Sequence, residues 1–417
     1  MGTDTQVDVL DRLAAATRGH ARVADDAEHV CGVPARWIVS PADTAETSAV
    51  LRATSTAGLT VVPRGAGTKL GWGAPPSRVD VLLDTTRIDA LVEHTAGDLV
   101  VVAGAGRRLT DLQEDCASAR QWLAVDPPRS GTVGGVVATA STGPTRLLHG
   151  PVRDLLIGAT MVRADGVVAR SGGKVVKNVA GYDIGKLLTG SFGTLAVITE
   201  VAFRLHPRPE ARCWVTLPLT GTGTLGRTLH NLVHSHLVPT AVELDLPSSG
   251  QGSLAVLVEG IAPGVRSRAA QAAALLGPSA APSDAAPPWW GCEPGEPGGA
   301  LLKITHEIAA VPQLCRAVAE AGDAAGLDVD LRGSVAVGAV LARVGPGSGE
   351  AVVRLVSRLR GAAPAFGGTV VVLDADQPTK AALDVWGPVR GLELMRALKQ
   401  QFDPGRLLAP GRFVGGI

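Results

Sequence analysis

GGKVVKNVAGYDIGKLLTGSFGTLAVITE, residues 172–200, places three lysines, an amide, the only tyrosine of the chain, an aspartate and a GSFGT turn in one apolar, proline-free setting. Glycine loses the most backbone entropy on folding, and buried polar groups need partners, so packing alone does not justify such a segment. The stretch reads as part of a ligand site. Before it, LLIGATMVRADGVVARSGG has the pattern of a β-hairpin turning at Ala164-Asp165-Gly166. After it, VITEVAFRLHPRPEA reads as a strand stopped by Pro207 and Pro209, and a domain boundary falls near residues 208–213.

Farther upstream, an amphipathic helix is expected over about Val7 to Arg18. A strand, a helix capped near Ser40 or Asp43, and the apolar strand Leu59 to Val62 then lead into the glycine turn PRGAGTKLGWG, residues 63–73. The segment from Asp126 to Asp154 is rich in Gly, Pro, Ser and Thr without the composition of a disordered linker, which marks a functional loop. Beyond residue 213, two successive sets of strands and helices suggest a ferredoxin-like layer. They are separated by the Pro/Gly-rich stretch Gly277 to Gly299, which reads as a mobile loop.

Lys plus Arg balances Asp plus Glu at 39 each, so no global field favours nucleic acid or an anionic membrane. The five cysteines are scattered and never fall in CxxC spacing, which argues against a cluster or structural zinc and fits a reducing compartment. No stretch offers about 18 uninterrupted apolar residues. The expected location is cytoplasmic, with the inner face of a membrane reached only through a complex.

PRGAGTKLGWG follows a strand and offers consecutive N–H groups with little side-chain obstruction, an anion nest suited to pyrophosphate. It has neither the G-x-G-x-x-G spacing nor a Walker G-K-[ST], and a tight structural turn is the alternative. Gly131-Thr132-Val133-Gly134-Gly135 supplies a second set of this kind. HNLVHSH, residues 230–236, puts His230 and His234 on one helical face, yet Asn231 stands where a zinc protease needs glutamate and no third ligand is evident. No metal site is expected. Tyr182 and Asp183 form either an acid/base pair or a structural hydrogen bond, and His306 is either a base or an ordinary partly buried strand residue. Lys174, Lys177 and Asn178 are candidates to stabilise negative charge on a cofactor, or else to lock a loop.

With PRGAGTKL (63–70), SGTVGG (130–135), GPVRDLLIGATMV (150–162), GSFGTLAVITEV (190–201) and FDPGRLLAPGRF (402–413), the sequence resembles the vanillyl-alcohol-oxidase, or PCMH-type, FAD-binding family. VKNVAGYD and the ending DVWGP…LMRALKQQFDPGRLLAPGRFVGGI are similar to the FAD-binding (E) subunits of bacterial glycolate oxidases. The resemblance implies an α+β fold: a helical segment at 1–30, a two-subdomain PCMH-type FAD domain at 31–210, a ferredoxin-like cap at 211–385, and a tail at 386–417 returning to the FAD domain. It implies that Arg64, Gly65, Ala66, Gly67 and Thr68 hold the FAD pyrophosphate and that Gly131, Thr132, Gly134 and Gly135 line the same channel. Ser141, Gly143, His149 and Gly150 would then lie nearer the isoalloxazine, and Gly193, Thr194 and Ile198 at the adenosine.

Three positions depart from the family pattern. Thr68-Lys69 stands where a flavin-linking histidine is often found, implying noncovalent FAD; Ala196 replaces a glycine; Ala409 replaces an asparagine. In the region where catalytic relatives carry an HxGDGN-type motif, this chain reads SVAVGAVLARV. The function implied is an FAD-binding subunit that works beside a catalytic flavin subunit and an iron–sulfur subunit of a glycolate oxidase complex, the 2-hydroxy acid binding to the partner. The alternatives are a self-sufficient FAD-dependent dehydrogenase of a hydroxy acid or polyol, with Lys177, Tyr182 or His306 in catalysis, and a non-enzymatic structural subunit.

Overall fold

A computed structural model describes residues 3–174 and 183–417. Two five-stranded sheets make up the N-terminal half. In the first, Val79–Asp84 runs parallel to Val33–Val39 on one side and Val61–Arg64 on the other. Its sequence, VDVLLD, is buried at every position but the last, as suits a parallel strand covered on both faces. Asp80 is buried within it. Burial would raise its pKa, but the Thr60 amide and hydroxyl, with Arg78 and Arg36, hold it below the usual carboxylate range.

The second sheet is antiparallel throughout. Val197–Arg204 lies between Leu156–Val162 and Val100–Gly104, with Val168–Gly172 and Leu91–Thr95 at the edges. The hairpin read from the sequence is present, with Gly166 at φ +79° in its turn. The helix Thr44–Thr56 joins the two sheets. Asp43 caps its N-terminus by accepting from the Glu46 amide, and Ser48 Oγ donates to Gly166 O at 2.6 Å.

The C-terminal half is built on one eight-stranded antiparallel sheet. Ala211–Leu219, Ala241–Leu246, Gly252–Gly260 and Ala281–Ser283, with helices Leu225–Val233 and Ala262–Leu276, form one four-stranded unit whose spatial order is fourth, first, third, second. Ala300–Thr305, Val329–Ser334, Ala339–Val344 and Val370–Asp374, with helices Val311–Ala325 and Gly349–Ala362, repeat it. The second strands of the two units pair, Ala241–Leu246 against Val329–Ser334, so the sheet is continuous. The Pro/Gly-rich stretch read as a mobile loop is anchored: Ala281–Ser283 pairs with Ala211–Leu219, and Glu293 bonds both Arg129 and Arg343.

Alternation decides what this sheet faces. Val242, Leu244, Leu302, Ile304, Val340, Ala342, Val370 and Val372 form a core with the helices. The intervening Glu243, Lys303, Arg332, Ser334, Leu341 and Val371 line a cavity on the other face, toward the N-terminal half.

The chain ends on the N-terminal half. The Val61 amide donates to Leu407 O and Ala409 N–H donates to Val61 O, adding a short rung beside Val61–Arg64. Helix Leu392–Phe402 carries Lys399, 1% exposed, whose Nζ donates to Thr194 O (2.7 Å), Leu408 O (2.8 Å) and Asp403 Oδ2 (2.7 Å). Removing one member of a buried ion pair leaves the other charge uncompensated. Lys399→Met is therefore expected to lower unfolding free energy by about 3–5 kcal/mol, read as a lower denaturant midpoint.

Candidate functional site

Two loops and a turn converge between the sheets. Leaving strand Val61–Arg64, the chain enters Gly65–Leu70; opposite it lies Thr132, which caps the short helix Val133–Ala138 by accepting from the Gly135 amide. A Cβ on Gly65 would fall 2.1 Å from Thr132 Oγ1, so only glycine permits this approach. The third part is the GSFGT turn. Gly190 N–H donates to Val137 O and Phe192 N–H to Ala138 O, while Gly193, at φ +74°, packs against Pro63.

A channel runs between these parts, lined by Arg64, Gly65, Ala66, Gly67, Thr68, Thr132, Gly134, Gly135, Gly193 and Ile198 among others. It leads to a cavity of about 410 Å³ beneath the cap sheet, which Ser141 and Gly143 line. Lys69, Thr139 and Phe192 line both spaces and mark their junction.

Several residues named from the sequence lie elsewhere. Gly131 backs the channel wall beside Thr68 but lines neither space, and Thr194 is buried, with its carbonyl bonded to Lys399. His149 stacks on Trp122 and His206 outside both spaces, its pKa driven down to about 4 by burial and then by His206 and Arg204; Gly150 ends that helix. His306 also lines neither: its Nδ1 meets Glu307 O, and burial lowers its pKa. Lys174 is an exposed partner of Glu93. Lys177, Asn178 and Tyr182 lie outside the described residues.

Two cations that the sequence reading did not single out line the channel. Arg412 is 3% exposed; its Nη2 donates to Leu70 O and Trp72 O, while Nε and Nη1 have no partner among the described residues. An unpaired buried guanidinium calls for an anion or acceptor in the space beside it. Lys69 is 7% exposed, with only a long contact of 3.4 Å to Thr68 Oγ1. Burial, then Arg129, lowers its pKa to about 8. Both stand in motifs quoted from the sequence, PRGAGTKL and FDPGRLLAPGRF, but their orientation depends on how distant loops pack.

A glycine cradle with orphaned buried donors fits a dinucleotide pyrophosphate. Residues 35–172 match the FAD binding domain family. The match covers about a third of the chain. A p-cresol methylhydroxylase structure with substrate bound superposes with a TM-score of 0.77 over 99% of this chain and 97% of that one, at 13% identity, which establishes a shared PCMH-type fold. Among curated relatives, glycolate oxidase subunit GlcD of Bacillus subtilis is 30% identical over 51% of this chain and 46% of its own length. D-lactate dehydrogenase of Archaeoglobus fulgidus is 37% identical over 43% of this chain and 41% of its own. Glycolate oxidase subunit GlcE of Escherichia coli is 37% identical over 36% and 43%. The chain thus matches less than half the length of each of these relatives.

Arg64–Thr68, Thr132, Gly135 and Arg412 would hold the phosphates of an FAD, and Lys69 would face its flavin end. FAD supplies two-electron redox chemistry; a cation near its ring favours the negatively charged reduced form. Gly65→Asp places a carboxylate into Thr132 and the cradle, and purified protein is expected to lose its flavin absorbance band. Lys69→Met is expected to retain the band but lower the midpoint potential of bound flavin by about 30–60 mV, equivalent to about 1.4–2.8 kcal/mol for a two-electron couple.

The cavity adds a pH signature. Glu243 is 5% exposed and accepts from the Ser334 hydroxyl; burial, reinforced by Asp126, pushes its pKa up to about 8 against the opposing pull of Ser334, Arg146 and Arg332. With the folded pKa above the unfolded one, the contribution of Glu243 to stability is complete below the ordinary carboxylate pKa and is lost as pH rises toward 8. Between about pH 5 and pH 8, wild type should lose on the order of 2–4 kcal/mol more stability than Glu243→Gln, measured by denaturant unfolding at each pH.

Proposed function

We propose that this chain is an FAD-dependent oxidoreductase of the glycolate oxidase and D-lactate dehydrogenase kind, working as the FAD-binding E-type subunit of a glycolate oxidase complex. The observation that carries the reading is the continuity of the glycine-lined channel with a second cavity through Lys69, Thr139 and Phe192. A cofactor held in the first can present its ring to a small molecule in the second. Support for the E-type role comes from VKNVAGYD and from the motifs of the last residues, DVWGP…LMRALKQQFDPGRLLAPGRFVGGI. FAD is held noncovalently, since Thr68-Lys69 offers no imidazole for a flavin link. In this reading a catalytic flavin subunit oxidises the 2-hydroxy acid, and electrons leave through an iron–sulfur subunit. The complex is cytoplasmic and meets the membrane only through its partners.

The cavity itself favours a second reading, a self-sufficient dehydrogenase, because it brings charged groups of this chain to the junction. One experiment separates the two. Purified chain should carry flavin that acid releases, and anaerobic glycolate or D-lactate should leave it oxidised until the partner subunits are added. Rapid bleaching of the chain alone would establish the self-sufficient enzyme, and flavin-free protein would overturn both readings.

A further inference from the structure

The cap sheet turns a row of alternating residues toward the cavity. Arg332, Leu341, Lys303 and Val371 are cross-strand neighbours in register, and all four line the space. Lys303 is therefore flanked by two apolar side chains, and Arg332, two strands away at about 10 Å, is committed to Asp245 at 2.7 Å. Among the described residues, Lys303 makes no hydrogen bond or ion pair. Arg146, entering from the N-terminal half on helix Arg146–His149, donates to the Thr142 hydroxyl at 3.2 Å and, among the described residues, makes no ion pair with a carboxylate. Burial, and then Arg146, lowers the pKa of Lys303; burial also lowers that of Arg146.

Among the described residues no acid forms an ion pair with either cation, although Glu243 faces Arg146 closely enough to pull its pKa upward against burial. Glu293 is shared by Arg129 and Arg343. Glu243, raised to about 8, carries a proton at neutral pH and is engaged by Ser334. Two desolvated cations facing one cavity without a counter-ion repel each other, and a bound anion removes that penalty. The remaining wall is apolar: Trp72, Leu341, Val371, Leu373, Trp386 and Phe413. At about 410 Å³, the space exceeds what glycolate alone fills.

We propose that Arg146 and Lys303 form a carboxylate clamp for a small organic acid bearing an apolar substituent, the acid head against the two cations and the substituent against the aromatic wall. The clamp belongs to this chain, whichever subunit performs the oxidation. It rests on the oxidoreductase reading only in expecting the acid to be a 2-hydroxy acid.

The test uses the FAD-loaded chain and a probe that cannot be oxidised. Phenylacetate and its neutral isostere phenylacetamide are titrated by calorimetry and by perturbation of the flavin spectrum. Phenylacetate is expected to bind at least tenfold more tightly than the amide, and Arg146→Met and Lys303→Met should each erase that preference without changing flavin content. Equal binding of acid and amide by wild type, or no binding of phenylacetate, would overturn the clamp, and neither result depends on a variant folding. Retained preference in both variants would overturn it as well. Failure of the oxidoreductase reading looks different: the acid preference persists while no 2-hydroxy acid, such as mandelate or lactate, reduces the flavin with or without partners.

Discussion

The Lys399 ammonium is the point through which distant parts of this chain are tied together. Its three bonds reach the Thr194 carbonyl at the end of the GSFGT turn, the Leu408 carbonyl beside strand Val61–Arg64, and the Asp403 carboxylate, all without access to water. A desolvated ammonium tolerates little misplacement of its acceptors, so the turn and the tail are fixed relative to each other. Phe192 follows from that. Held at φ +55° in the same turn, it packs edge-on against Trp386 and beside Phe413, and lines the junction between channel and cavity.

The N-terminal half was legible because its requirements are local. A backbone cradle needs glycine at particular positions, and PRGAGTKL, SGTVGG and GSFGT carry them in the sequence as written. Parallel strands covered on both faces produce unbroken apolar runs such as VDVLLD. The hairpin at Ala164–Gly166 and the cap at Asp43 have short-range signatures of the same sort.

The cavity was not legible, for a physical reason. In AVELDL and LLKITHEI the alternation of apolar with charged residues is the pattern of a sheet with one face in water. Glu243 and Lys303 instead face another domain, and nothing in a strand of six residues reports what covers its polar side. His306 shows the converse: a strand histidine invites a reading as a base, yet it lines neither space and its Nδ1 meets the backbone oxygen of Glu307. Arg412 and Lys69 fall between these cases. Their motifs are visible, but the lack of a partner for the Arg412 Nε and Nη1 appears only when the loops have been packed around them.

One backbone contact gives the glycine loop a second mechanical role. The Gly73 amide donates to Leu373 O on strand Val370–Asp374, the outermost strand of the cap sheet at that end. The glycine loop that lines the channel thus also occupies part of an otherwise open sheet edge, shielding it from pairing with a second molecule. At the opposite end the edge strand Ala281–Ser283 is only three residues long and contains proline, which limits how far any strand could add there. An insertion within residues 65–73 would therefore disturb two things together: the wall of the channel and the protection of the cap against self-association.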